Sequence, residues 1–597
     1  MTSTPSHTSD VDLEAEKNAA LWLEGSYDGE TKETVRQLLR NTPQEAIDSF
    51  YTTLSFGTGG MRGIMGVGSN RINEYTIRAA TQGLANYINQ QPFSGKLPEK
   101  RHSVFIGFDS RHYSKQFAVE AAKVFAGNGI QVYLCDELRP TPLVSFGCRF
   151  LRCTAAVMIT ASHNPPQYNG YKVYWSDGGQ VLPPHDGGII QEVNLVTDPA
   201  MVQMTPTVDH PLIISVADEI DATYITECCK LQHYPKENGQ HGNELKVVYT
   251  SLHGAGITLI PGMLSGWGFS NITYVDQQII PDGDFPTVNY PNPEIQSALE
   301  LGIEKLKETE GDVLIATDPD ADRVGVVVRH HNECVQLDGN KIASILLAHI
   351  CEALVANGKM PPQGVFVKTI VTTELFRSIC EAYGRPCIDV LSGFKYIAGE
   401  ILKWENSPNG HSFIFGGEDS CGYLLGTLAR DKDGIIAAAL ICEAALHAKR
   451  QGKTLVDLLH DLYRNHGVYA EDILSIDFNE SKEGKDNMKA GMLRLRQHLP
   501  TQINGIDVAC VDDYQTAIKK DLKTGKTEKL ILPQSDVLTF WLADGTKIVV
   551  RPSGTEPKIK LYCGLFDKST HKSIDVTEKN CRKRLAAIMD EIRKLTQ

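Results

Sequence analysis

Short apolar runs that alternate with helical stretches, each run closed by turn residues, constrain this 597-residue chain more than any other feature. The first series comprises the run 104–108, a helical stretch over 116–127, the run 132–134, a helical stretch over 140–150, and Ala155–Ile159. Strand, helix, strand is the rhythm of a parallel sheet with crossover helices. It returns over 245–249 to 312–317, and again over 364–368, 372–383 and 413–415. No segment repeats at a fixed period, so the recurrence is one of pattern and predicts three related α/β domains.

The last section differs. Runs over 536–542 and 546–550 flank Asp544-Gly545, a hairpin signal, and 558–562 alternates polar with apolar residues as a half-buried strand does. Leu585, Ile588, Met589, Ile592 and Leu595 then mark an amphipathic helix for that sheet. A smaller α+β domain is expected here. The boundaries read as 1–210, 211–332, 333–460 and 461–597, close to the roughly 150 residues per domain that length alone suggests. Ahead of the first series, residues 1 to 12 read as a loose tail. Helical spacing follows over 13–51, with Leu21, Leu23, Val35, Leu38 and Leu39 as expected buried positions.

The net charge of −14 argues against general nucleic-acid binding, and any anionic substrate would need cations concentrated in one place. No apolar run approaches the roughly 20 residues of a membrane helix, so no membrane partner is expected. The N-terminus lacks the basic-then-apolar layout of a signal peptide. Fourteen scattered cysteines without Cys-x-x-Cys indicate neither a zinc ribbon nor a disulfide framework, and fit a reducing cytoplasm.

The candidate chemistry lies on loops that follow the apolar runs. After Ala155–Ile159 comes Thr160-Ala161-Ser162-His163-Asn164-Pro165-Pro166, which places Ser162 where α/β sheets carry function. A structural turn beside two prolines is the plain alternative. No Gly-x-Ser-x-Gly surrounds Ser162, and the adjacency of His163 does not itself make a triad. Asp318-Pro319-Asp320-Ala321-Asp322-Arg323 follows another run, and three alternating carboxylates can converge on a hard cation such as Mg²⁺. An EF-hand fails, because Arg323 and Arg329 stand where Gly and Glu are required.

Phe56-Gly57-Thr58-Gly59-Gly60-Met61-Arg62-Gly63 lets the backbone approach a ligand and offers Arg62 to a phosphate. Gly417-Glu418-Asp419-Ser420-Cys421-Gly422 can hydrogen-bond sugar hydroxyls, although a polar turn reads equally well. Arg551-Pro552-Ser553-Gly554-Thr555-Glu556-Pro557-Lys558 offers a guanidinium, hydroxyls and a glycine N–H to a phosphate. Gly452-Lys453-Thr454 only imitates the end of a P-loop, since His447 stands where its glycine belongs.

Taken in this order, these loops resemble the α-D-phosphohexomutase superfamily over nearly the whole chain. The opening, with Trp22-Leu23 and the Phe56 to Gly63 loop, is most similar to the long branch holding phosphoglucomutase-2, phosphopentomutase and glucose-1,6-bisphosphate synthase. The resemblance implies four domains around a central cleft: three α/β domains with mixed or parallel sheets, then the α+β domain. It implies a Mg²⁺-dependent mutase in which Ser162 carries a phosphoryl group and the metal is held by Ser162, Asp318, Asp320 and Asp322. Catalysis would draw on Ser162, Lys172, Arg62 and His163. Substrate contacts would come from Arg323, Lys395, Glu418, Ser420, Arg551, Ser553, Gly554 and Thr555.

Sugar phosphates are then the expected partners and glucose 1,6-bisphosphate the intermediate and activator, in a monomer or homodimer. Glucose 1-phosphate and glucose 6-phosphate are the first choice of substrate. The alternatives are a pentose phosphate, bisphosphate synthesis from a glycolytic donor, a phosphomannomutase, or a metal-dependent phosphatase. One departure bears on that choice. Glucose-type members carry Glu-Glu-Ser-Phe or Tyr-Gly where this chain has Glu418-Asp419-Ser420-Cys421-Gly422, and Gly422 replaces the His of mannose- and glucosamine-type members.

Overall fold

The computed structural model describes residues 10–57, 59–93, 101–216, 218–479, 482–553, 558–568 and 573–596. The chain divides into two compact units, Met1–Leu337 with Ala398–Gly410 and Gly422–His447, and Asp338–Ile397 with His411–Cys421 and Ala448–Gln597.

In the first unit the predicted rhythm is present. Strands Ser103–Phe108, Gln131–Cys135, Ala155–Ile159 and Ile213–Val216 run parallel, and Tyr168–Trp175 and Gly60–Ile64 join antiparallel beyond Ala155–Ile159. Ser103–Phe108 and Ala155–Ile159 are buried throughout, as strands covered on both faces must be. Helices Ser114–Gly127 and Thr141–Phe150 make the crossovers. A second mixed sheet orders Glu333–Leu337, Val324–His330, Val313–Thr317, Val247–Thr250 and Ile272–Tyr274, the first two pairings antiparallel and the last two parallel.

The N-terminal helices correct one expectation. In Asp10–Glu24 the buried face is Ala15, Ala19 and Trp22, whereas Leu21 is 57% exposed. On Gly29–Asn41, Val35 is buried but Leu39 is exposed. Spacing of i, i+4, i+7 is kept, but small alanines let Trp22 pack against Tyr27 and Phe50. Reading only large aliphatics put the face a residue out of phase.

In the second unit, parallel strands Cys387–Val390, Gly364–Thr369 and Ser412–Glu418 pair in that order. The C-terminal section is an antiparallel sheet ordered Val468–Asp477, Lys558–Asp567, Lys547–Pro552, Leu538–Leu542, Ile506–Asp513, Ile518–Asp521 and Thr527–Lys529. The Asp544-Gly545 hairpin joins two of these strands, with Gly545 at φ +88° as a tight turn requires. Helix Ile574–Thr596 buries Leu585, Ile588, Met589 and Ile592 against the sheet, while Leu595 faces out.

Among the described residues one helix, Gly339–Ala356, is long and apolar enough to cross a membrane, and most of it is buried in the protein. Ile342, Ile345, Leu346, Leu347 and Ile350 are core, while Val355 is exposed. Ile588→Ala removes a fully buried side chain, which should cost about 2–5 kcal/mol and speed hydrogen exchange in Lys558–Asp567. Unchanged protection there would contradict this packing.

Candidate functional site

Ser162 stands three residues past the strand Ala155–Ile159 with φ +53°, left-handed backbone that a non-glycine residue keeps only under constraint. Two sets of bonds supply it. Thr160 Oγ1 accepts from Ser162 N at 2.8 Å and donates to Asp109 Oδ2 at 2.6 Å. Arg111 donates to the carbonyls of Ser162 (2.5 Å), Asn164, Pro165 (2.8 Å) and Tyr168 (3.0 Å). One buried guanidinium therefore staples the whole loop, and its own backbone N–H is held by Asp109 at 3.0 Å. Burial lowers Arg111 to about 10, which leaves it charged at neutral pH. The neighbouring strand approaches so closely that a Cβ on Gly170 would lie 2.6 Å from Thr160 O.

The loop aims Ser162 Oγ at Asp318, to which it donates at 2.9 Å, and His163 Nδ1 lies 3.3 Å away. Burial, with Arg323 and Arg62 nearby, holds the His163 imidazole neutral. Asp318, Asp320 and Asp322 are each at most 1% exposed, and one oxygen from each falls within 4.8 Å of the others. Burial and the Asp320 and Asp322 carboxylates push Asp318 well above the usual carboxylate range.

Lys172 Nζ donates to Asp320 at 2.7 Å and Asp322 at 3.1 Å, and Lys432 Nζ lies 3.1 Å from Asp322. Burial alone would lower the Lys172 pKa, but Asp320 and Asp322 outweigh it and hold the ammonium protonated. Asp320 Oδ1 and Asp322 Oδ1 remain buried without a hydrogen-bond donor. Unsatisfied carboxylate oxygens in a tight, all-oxygen cluster are what a hard divalent cation fits. Arg62 donates to Asn164 Oδ1 at 2.8 Å, and Arg323 pairs with Glu294. Ser162, His163, Arg62, Lys172 and the three aspartates are thus gathered in one unit, with Arg323 on the same loop as the aspartates.

The remaining candidates belong to the second unit. Glu418, 7% exposed, accepts from Gly393 N at 2.9 Å and so ties its loop to the one bearing Lys395. Lys395 Nζ sits 5.3 Å from the Tyr396 ring centre, and Ser420 is half-buried. Arg551 Nη1 donates to Ser392 Oγ at 2.7 Å, and Ser553 N to Lys558 O at 2.7 Å. Gly554 and Thr555 lie outside the described residues.

Sequence reasoning missed three contributors. Arg111 and Asp109 gave only a turn signal, and nothing local distinguishes a staple from a surface turn. Lys432 lies in Arg430-Asp431-Lys432-Asp433, whose charge density following an apolar strand was the available signal. Its neighbour Asp431 is fixed by Tyr174 at 2.9 Å and Gln180 at 3.0 Å. Asp433 takes the Tyr224 hydroxyl on both oxygens at 2.7 Å and caps the helix Gly434–Arg450 through Ile435 N and Ile436 N.

Two outcomes follow. Arg111→Ala should keep the fold but cut kcat/KM about a hundredfold by loosening the Ser162 loop, and a loss under threefold would refute the staple. Burial raises Asp433 to about 6, so the folded state holds its proton more tightly than the unfolded chain. Its contribution to stability is greatest below about pH 4, falls as pH rises through 6, and is constant above that. Asp433→Asn should therefore gain up to about 3 kcal/mol relative to the parent between pH 4 and 6.5 in paired denaturant titrations. A pH-independent difference would be the contrary result.

Four family models match in order: phosphoglucomutase/phosphomannomutase alpha/beta/alpha domains I, II and III over residues 53–199, 222–332 and 338–466, and the C-terminal domain over 504–580. A phosphoglucomutase of Staphylococcus haemolyticus is 36% identical over 523 residues, covering 86% of this chain and 91% of its own. One from Staphylococcus aureus is 35% identical over 563 residues, with 92% and 97% covered. The open form of Paramecium parafusin, titled a phosphoglucomutase, shares the fold at TM-score 0.67 and 18% identity, over 91% of this chain and 96% of that one. A phosphoglucomutase/phosphomannomutase family protein from Burkholderia thailandensis does so at 0.63 and 16%, over 91% and 97%. On this coverage the chain belongs to the phosphoglucomutase/phosphomannomutase family.

Proposed function

We propose that the protein is a phosphoglucomutase that interconverts glucose 1-phosphate and glucose 6-phosphate through a phosphoserine at Ser162 and a glucose 1,6-bisphosphate intermediate. The observation that carries this reading is the Ser162 hydroxyl bonded to Asp318 at 2.9 Å beside two further buried carboxylates and two ammonium groups. Asp318, Asp320 and Asp322, with an oxygen of phosphorylated Ser162, would hold Mg²⁺. When bound, that ion would neutralise the charge of the transferring phosphoryl group.

The chain's own residues account for the rest. Phosphoserine gives its phosphoryl group to a free hydroxyl of the sugar monophosphate: the Ser162 Oγ–P bond breaks, a sugar O–P bond forms, and the hydroxyl proton leaves to a base. The bisphosphate then returns its other phosphoryl group to Ser162. Arg62 and Arg323 supply positive charge beside the transfer, where charge stabilisation counts for more than covalent chemistry. Lys172 keeps its proton while Asp320 and Asp322 face it, so in this arrangement it offers an ammonium charge and hydrogen-bond donor rather than a base. Neutral His163 leaves a second group beside Oγ that can accept a hydrogen bond.

Glu418, Ser420 and Lys395 are assigned to sugar hydroxyls and substrate phosphate, and Arg551, Ser553, Gly554 and Thr555 to the distal phosphate. The two ends of a bisphosphate would then meet different groups. Asp419 and Cys421, in place of the usual glucose-type residues, favour pentose phosphates as the second reading. The branch that includes phosphopentomutase and bisphosphate synthase remains part of the proposal.

The test is turnover of hexose and pentose 1-phosphates with Mg²⁺ and trace glucose 1,6-bisphosphate. Glucose 1-phosphate should give the highest kcat/KM, Ser162→Ala should lose at least about a thousandfold, and chelation should abolish turnover until Mg²⁺ is restored. Active enzyme should carry one phosphate on the Ser162 peptide. A preference for ribose 1-phosphate would select the second reading, and full activity of Ser162→Ala would dispose of both.

A further inference from the structure

One buried side chain outside this site connects to both of its loops. Strand Val247–Thr250 runs into residues 251–256, where Leu252 and His253 both take left-handed backbone, at φ +45° and +63°. Two consecutive non-glycine residues in that conformation need support. Leu252 N donates to Thr250 Oγ1 at 3.0 Å, and His253 N to Gln278 O at 2.7 Å. The His253 ring supplies the rest. Its Nδ1 is 3.1 Å from Ile280 O and its Nε2 2.9 Å from Thr287 Oγ1.

Those partners fix the proton. A carbonyl can only accept, so Nδ1 carries the hydrogen. Burial keeps the imidazole neutral, which leaves Nε2 to accept from the Thr287 hydroxyl. Thr287 Oγ1 in turn accepts from Gln278 Nε2 at 3.0 Å, and Gln278 Oε1 accepts from Thr250 Oγ1 at 2.8 Å. Both hydroxyls in this relay donate and accept, and only the Nδ1–H tautomer of His253 satisfies it.

Each of the two segments that His253 joins reaches one loop of the site. Ala255 N donates at 2.7 Å to the carbonyl of Pro319, the residue between Asp318 and Asp320. A Cβ on Gly254 would lie 2.4 Å from Pro319 Cα, so the two backbones are in close contact. On the other side, His253 O accepts from Asp282 N at 3.1 Å, three residues before the buried Phe285. The Arg111 guanidinium carbon lies 4.9 Å from the Phe285 ring centre, and a Cβ on Gly283 would stand 2.6 Å from His112 N. Arg111 is the group that staples the Ser162 loop.

We propose that His253 is a positioning residue for phosphoryl transfer: by joining the 251–256 segment to the 280–287 segment, it holds the aspartate loop and the Ser162 loop in one register. The inference rests on the transfer proposed above. A slip between these loops would disturb the alignment of Ser162 Oγ with Asp318 while removing no group that touches the sugar. Its signature is a fall in kcat with KM for the sugar phosphate little changed.

Full-length variants test this. His253→Ala should lower kcat about thirtyfold with KM within about threefold of the parent, and amides in residues 160–168 and 318–323 should exchange at least about tenfold faster. In His253→Asn the side-chain amide can still donate to Ile280 O and the backbone tolerates φ > 0, so most of both losses should be recovered. Phe285→Leu stays apolar but removes the ring face beside Arg111, and it serves if His253→Ala does not fold. It should quicken exchange in 160–168 and leave 318–323 unchanged. The double variant should lose no more than the worse single, because both act through one segment. A folded His253→Ala with kcat within about threefold of the parent, a rise in KM at unchanged kcat, or equal losses in His253→Asn and His253→Ala would each overturn the proposal. So would additive losses in the double variant, or unchanged exchange at 160–168 in Phe285→Leu. Failure of the transfer reading shows separately, as turnover that survives Ser162→Ala, and the exchange measurement does not depend on it.

Discussion

Three carboxylates at alternate positions of one loop, almost without exposure, repel one another in a medium that screens poorly. Much of the first unit's local architecture answers that repulsion. Lys172 arrives from the antiparallel strand Tyr168–Trp175, Lys432 from the segment before Gly434–Arg450, and the Thr141 hydroxyl bonds Asp320 at 2.7 Å from the start of Thr141–Phe150. These segments are distant in sequence, so the cluster forms only when the tertiary structure is complete. What they leave open, one oxygen each on Asp320 and Asp322 and an Asp318 facing Ser162, is the part that a cation and a phosphoryl group would use.

The legible part of this was whatever a short motif carries by itself. The Asp318 to Arg323 loop and the Ser162 loop each follow a fully buried five-residue strand, and such strands read as unbroken apolar runs bounded by turn residues. The Asp544-Gly545 turn was legible for the same local reason. Arg111 was not, because its role is defined by four carbonyls between residues 162 and 168 that only the folded loop brings together. Lys432 was hidden by its own neighbours, since in a run of alternating charges no residue announces which one turns inward.

The missed helical face and the missed strands have a different cause. Alanine carries little hydrophobic signal, yet Ala15 and Ala19 are where Asp10–Glu24 meets the rest of its cluster. Thr527–Lys529 is the polar edge strand of its sheet and Ile518–Asp521 the polar strand beside it, both with exposed or intermediate burial throughout. Backbone pairing holds them, with hydrogen bonds that composition does not encode.

Glu418 shows how a residue chosen for one role can have two. Its loop was read as a grip on sugar hydroxyls, but one of its oxygens is committed to Gly393 N, and Gly393 itself stands at φ +123°. A left-handed glycine two residues before Lys395 sets the direction in which that lysine leaves the backbone. The carboxylate therefore shapes the neighbouring loop. Under the proposed function, sugar preference would be a joint property of the two loops, because a change at 418 would move Lys395 along with it.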